Sequence, residues 1–171
     1  MKSVPKKPPN SFHCIDALEV SLSIEKQGFV YYDKAAKSAV DPRVRAIFLR
    51  LANEEKEHIQ SLQNKARFLQ PALRSKAVPR ESRAENFIKN ELIGKVFPVP
   101  TDDKDEACAV ENDLEALDIG IDAEKRSIEV LSQLVADEKK MDVRMIFNHL
   151  LIEERKHLAA LEELKKTLAK K

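Results

Sequence analysis

The chain has 171 residues, 43% apolar and 35% charged, with three glycines and nine aromatic residues, a balance that suits helices and excludes collagenous, disordered and β-sandwich chains. Basic and acidic residues nearly cancel at a net charge of +1, so nothing electrostatic calls for nucleic acid or an anionic membrane as partner. The length suits one domain, with room for two similar halves around one core.

Residues 1–10, MKSVPKKPPN, are basic and proline-rich with no apolar stretch behind them, and read as a flexible extension rather than a secretory signal. No apolar run reaches the roughly 18 residues of a membrane span. Cys14 and Cys108 are the only cysteines and form no CxxC, which excludes a zinc ribbon or thioredoxin-type motif. So few cysteines suit a reducing, cytoplasmic setting, although the two are free to meet in space.

Prolines divide the rest. The first helix is expected over about 11–39, and Asp41-Pro42 supplies a cap and first helical residue for a second that ends before Pro71. The segment 71–100 holds four of the eight prolines and reads as a surface connection, with ENFIKNELIGKVF as one short amphipathic helix. Helices resume near Thr101 to Asp105, break around Lys139 to Asp142, and run to the end. The expected domain is a hairpin at 11–70, a crossover at 71–106 and a hairpin at 107–171.

Each long helix carries an apolar seam at alternating steps of three and four. The first reads Ile15, Leu18, Leu22, Glu25, Phe29, Tyr32, Ala36, and the second Val44, Ile47, Leu51, Glu55, His58, Leu62. The third reads Leu114, Leu117, Ile121, Glu124, Ile128, Leu131, Val135, and the fourth Val143, Ile146, Leu150, Glu154, His157, Leu161, Leu164. Four carboxylates and two imidazoles thus stand where packing asks for leucine. A buried unpaired carboxylate costs several kcal/mol, and four together repel. Two dications would cancel the four charges, and oxygen and imidazole ligands suit iron, manganese or zinc.

Shifted by 99 residues, the sequence matches itself without gaps. IDALEVSLSIEK lies over LEALDIGIDAEK, and DPRVRAIFLRLANEEKEHIQSL over KMDVRMIFNHLLIEERKHLAAL. Glu25 falls on Glu124, Glu55 on Glu154 and His58 on His157. Two duplicated hairpins related by a pseudo-twofold axis would bring the six groups together. Glu54 and Glu153 also repeat, and periodicity only slightly favours Glu55 and Glu154 over them. His13 and His149 lie off the seam and read as solvated, and Gly28 and Gly120 read as close helix contacts.

Glu and ExxH, a long crossover, then Glu and ExxH again resembles the ferritin-like di-iron carboxylate proteins. The phrases IEKQGFVYYDKAAK and LANEEKEH resemble most the rubrerythrin-like branch, over about residues 12–166. The resemblance implies an all-α, ferritin-like four-helix bundle holding two iron ions, with manganese or zinc as alternatives. It implies Glu25 and Glu124 as terminal ligands, Glu55 and Glu154 as bridges, and His58 and His157 as one cap per metal, which decides for Glu55 over Glu54. Tyr32 matches a family tyrosine beside the site, and its repeat counterpart is Leu131.

The implied function is an oxidoreductase in which ferrous iron reacts with peroxide or dioxygen. The rivals are non-catalytic, ferritin-type iron handling and oxygenation of an organic substrate through an apolar channel. No rubredoxin-type cysteine set is present, so electrons would come from an external donor protein. Ser127 replaces the extra glutamate of peroxide-reducing relatives, which weakens the peroxidase assignment. The long crossover would allow helix-pair exchange, so a homodimer is expected.

Overall fold

The computed structural model describes residues 12–73, 83–98 and 112–170, without the side chains of 70–73. The expected N-terminal extension, the start of the third long helix at 101–105 and any pairing with Cys108 lie outside the described residues.

Four long helices carry the chain: α1 (Cys14–Ser38), α2 (Pro42–Leu73), α4 (Asp113–Asp137) and α5 (Met141–Leu168). The short α3 (Arg83–Phe87) runs into a π-helical turn, Ile88–Leu92. α1 packs along α2 and α4 along α5, and the hairpins meet mainly through α1 against α5. This is the ferritin-like helical bundle, built from two hairpins.

The boundaries follow local chemistry. The Asp41 carboxylate accepts from the Arg43 N–H at 2.8 Å, so Pro42 opens α2 without needing a donor of its own. Asn112 caps α4 by accepting from the Glu115 N–H at 2.9 Å, which sets the helix start at Asp113. α2 runs through Pro71 to Leu73 instead of stopping before the proline. So near the helix end, proline removes one backbone hydrogen bond and has little helix left to break.

The connection is anchored to the bundle. Gly94 takes φ 70°, a left-handed turn that glycine makes without penalty. It folds Val96 and Phe97 back into the core, where Phe97 lies 5.8 Å from the Tyr31 ring and 5.9 Å from Tyr32. Arg126 donates to the Val96 carbonyl at 2.9 Å and fastens this strap to α4.

The seam positions are largely inward, with Val44, Leu51, Leu117, Leu131, Val143 and Leu161 fully buried. Leu114 is the exception: it is 47% exposed, because it falls in the first turn of α4, past the edge of the core. No helix among the described residues is long and apolar enough to cross a membrane.

Candidate metal centre

The heptad-like spacing of the seams puts one carboxylate of each long helix at the same level of the bundle. Glu25, Glu55, Glu124 and Glu154 are each no more than 1% exposed. His157 is buried and His58 half-buried, and their rings lie nearly parallel with centroids 6.0 Å apart. All six sequence-predicted groups therefore converge.

They fall into two sets, within each of which the candidate ligand atoms lie within 4.8 Å of one another. Glu25, Glu55 and His58 form one set, and Glu55, Glu124, Glu154 and His157 the other. Glu55 belongs to both. His58 Nδ1 lies 3.3 Å from Glu25, and His157 Nδ1 lies 3.3 Å from Glu55, 3.7 Å from Glu124 and 3.9 Å from Glu154.

Hydrogen bonding leaves this cluster unsatisfied. One oxygen on each of the four carboxylates, and both ring nitrogens of His157, are buried without a partner in bonding geometry. Buried polar groups are normally paired, and each orphan costs about 1–3 kcal/mol. The four orphaned carboxylate oxygens, with His157 Nδ1 facing Glu55, Glu124 and Glu154, fit a pair of cations with oxygen and nitrogen preferences.

Electrostatics agree. Burial first, then neighbouring Glu25, Glu154 and Glu124, push the Glu55 carboxyl well above the usual range. Burial, Glu124 and Glu25 do the same to Glu154, while nearby Ser127 pulls the other way without reaching ideal bonding geometry. Contact with Glu25, opposed by burial, raises His58. Tyr32, fully buried, donates its hydroxyl to Glu124. Burial and the surrounding carboxylates hold the Tyr32 proton well past the ordinary phenol range.

Three features escape the sequence pattern. A Cβ on Gly28 would stand 2.8 Å from a Glu55 oxygen, so this glycine makes room for the carboxylate and is more than a helix contact. Gly120 does match the simpler expectation, facing Leu161 at 3.4 Å and Tyr31 at 3.5 Å. Glu54 reaches across the bundle to His157 Nε2 at 3.3 Å, and Glu153 lies close enough to His58 to influence its charge. The repeated Glu-Glu pair before each ExxH was the available signal: one member faces inward and the other faces the opposite hairpin's histidine. His13 and His149 are exposed, as their off-seam positions suggest.

The family model described as Rubrerythrin matches residues 16–165. The chain belongs to the rubrerythrin family. No curated protein and no solved structure matches it. Membership in this family of di-iron proteins agrees with a buried carboxylate and histidine cluster that could hold metal.

Proposed function

We propose that this rubrerythrin-family chain is a di-iron oxidoreductase whose oxidant is peroxide or dioxygen. The observation that carries this reading is the convergence of four buried carboxylates and two histidines in two overlapping ligand sets, with one oxygen of each carboxylate left without a partner. As the family resemblance implies, Glu25 and Glu124 would serve as terminal ligands, Glu55 and Glu154 would be shared between the two metals, and His58 and His157 would each hold one; of these, Glu55 belongs to both ligand sets. When bound, ferrous iron supplies the electrons that reduce the oxidant and itself becomes ferric. Four carboxylates with neutral imidazoles balance two dications, which suits iron and also admits manganese or zinc.

The protein's own part is positional. Tyr32 keeps its proton and holds Glu124 by donating to it. Tyr31, Phe48 and Phe97 pack around Tyr32 and keep water from that side. Glu54 lies 3.3 Å from the outer nitrogen of His157, and Nδ1 faces inward toward Glu55, Glu124 and Glu154. Electrons for further cycles come from a donor outside these 171 residues, which we expect to be a protein. A cytoplasmic homodimer belongs to the same reading.

Ser127 favours a second reading. It stands, fully buried, beside Glu154 where peroxide-reducing relatives carry a further carboxylate. A site limited to six ligands would then handle iron without turnover. Anaerobic loading with ferrous iron, desalting and metal counting separate the cases. Two irons per chain that fall below one in Glu55→Ala or Glu154→Ala, and that oxidise repeatedly when peroxide or air is supplied with a reductant, support the oxidoreductase. Iron retained through a single oxidation supports iron handling, and no retained transition metal overturns both.

A further inference from the structure

A cavity of about 690 Å³ opens beside the Glu25 and His58 half of the cluster and runs along α2 and α5 toward the start of α1. Its walls are Leu18, Leu62, Leu69, Ile146 and Leu150. Phe68 and Met145 stand at its rim, 85% and 66% exposed. Polar groups are placed at its inner end, where Glu25, His58 and Glu153 meet, and along its open side, where Lys65 and His149 are exposed.

Its dimensions restrict what fits. The cavity follows α2 from His58 to Leu69, about 16 Å at the helical rise per residue. A slot of that length with apolar walls matches an extended hydrocarbon chain laid along it. The volume itself lies within the ~300–1,000 Å³ typical of small-molecule sites.

The internal repeat shows that the groove is not an unavoidable gap between helices. At the equivalent place in the other half, Leu161 is fully buried where Leu62 is half-buried. There the rim positions hold Thr167 and Ala46 in place of Phe68 and Met145. The open half thus puts larger apolar groups at its rim than its counterpart does, beside a histidine that is 25% exposed where His157 is 3% exposed, and apolar surface left in water is unfavourable by ~25 cal/mol per Å².

We propose that this cavity binds a linear, neutral aliphatic molecule with one end against Glu25 and His58. The two carboxylates at the inner end, Glu25 and Glu153, disfavour an anionic head there. Bound in this way, the molecule covers the exposed side of His58. The inference rests on the cavity and not on the metal, so it stands or falls separately from the oxidoreductase reading.

Nile red titrated into the full chain, metal-free and iron-loaded, tests it. The expected result is one saturable site per chain, emptied by dodecan-1-ol and at least tenfold less readily by dodecanoate. Leu62→Trp and Ile146→Trp, which fill the cavity, should each weaken the probe at least tenfold while helicity and iron count stay as in the parent. Absence of saturable binding, or binding that both tryptophan variants leave unchanged, overturns the proposal. So does a probe site that appears only on dilution below a dimer's dissociation constant in sedimentation, which would assign the groove to a second copy. Dodecanoate competing as well as the alcohol overturns the choice of a neutral ligand. Nile red binding in a chain that retains no iron would sink the oxidoreductase alone.

Discussion

His157 and His58 occupy equivalent positions of a duplicated hairpin, yet one side chain is 3% exposed and the other 25%. Around His157 the bundle is tightly closed. Lys165 bonds Asp118, Lys125 lies 3.2 Å from Glu162, and Tyr31 donates to the Ala116 carbonyl at 2.6 Å. Around His58, no side chain of α2 beyond Glu55 is fully buried through Leu69. A repeat can therefore keep its charged groups while its walls diverge. The six polar groups need one another across the pseudo-axis, since a lone buried carboxylate has no partner. The apolar residues above and below them face no such demand.

The largest expected effect comes from Glu55, which belongs to both ligand sets, and from its repeat equivalent Glu154. Glu55→Gln and Glu154→Gln should each reduce bound iron from two per chain to fewer than one. In the metal-free protein the same changes should raise the melting temperature. Both carboxyls have folded pKa values above the ordinary 4.5, so their protonated forms are favoured in the fold. Their contribution to stability is fully present below about 4.5 and erodes as pH rises toward the folded values. Metal-free protein should thus melt higher near pH 5 than near pH 8, with a flatter profile in the glutamine variants. Metal needs the deprotonated forms, so affinity should climb across that interval. A parent melting temperature indifferent to pH between these points would contradict the buried-acid account.

Gly28 and Ser127 are repeat equivalents, and substitution should separate them. Gly28→Ala brings a Cβ to 2.8 Å from Glu55 and forces that carboxylate to move. Metal affinity should fall by about 10- to 100-fold, the usual scale for disturbing a ligand's support. Ser127→Gly leaves Glu154 its space and should change affinity by less than about threefold, since it removes only a weak polar neighbour. Competition with a metal-binding dye reads both. Tyr32 and Leu131 form the next such pair. Tyr32→Phe removes the donor to buried Glu124 and should lower unfolding free energy in urea by about 1–3 kcal/mol while iron count stays at two.

Much of the site was legible because charge on an apolar seam is conspicuous, and because a 99-residue shift placed every such charge on its counterpart. Periodicity only leaned toward Glu55 over Glu54, and the family resemblance decided between them; their side chains are 1% and 41% exposed. What periodicity could not show was that Glu54 serves the opposite hairpin's histidine, because that contact depends on how the hairpins cross. Leu114 fitted the seam arithmetic and is exposed, since periodicity does not say where the core stops. Pro71 fitted the rule against helix interiors and lies inside α2, because the rule weakens in the final turns. The cavity was illegible for the same reason as the Glu54 contact: Leu62 and Leu161 are the same residue at the same repeat position, and only the surrounding helices bury one more than the other.

The smallest effect tests how the two halves start their second helices. Asp41 and Lys140 are repeat equivalents. Asp41 caps α2 through the Arg43 N–H and also meets the Arg43 guanidinium at 2.6 Å. The Arg43 contacts hold its carboxyl down at about 2, below the ordinary 3.8. Lys140 makes no side-chain cap for α5 and instead donates to the Phe12 carbonyl at 2.9 Å. Asp41→Ala should therefore lower the melting temperature modestly, in a pH-dependent way. A carboxyl with a depressed folded pKa stabilises the fold above its unfolded value and loses that contribution as pH falls through the folded one. The gap between parent and Asp41→Ala should be complete above about pH 4 and close as pH approaches 2. Lys140→Ala breaks a contact between a lysine that stays charged and a neutral carbonyl and removes only a minor influence on Asp142, so its gap should change less over that range. Calorimetric melting of both variants from pH 2 to 6 would show whether equivalent helix starts are held by different chemistry, and a gap at Asp41 that ignores pH would place its contribution in packing instead of charge.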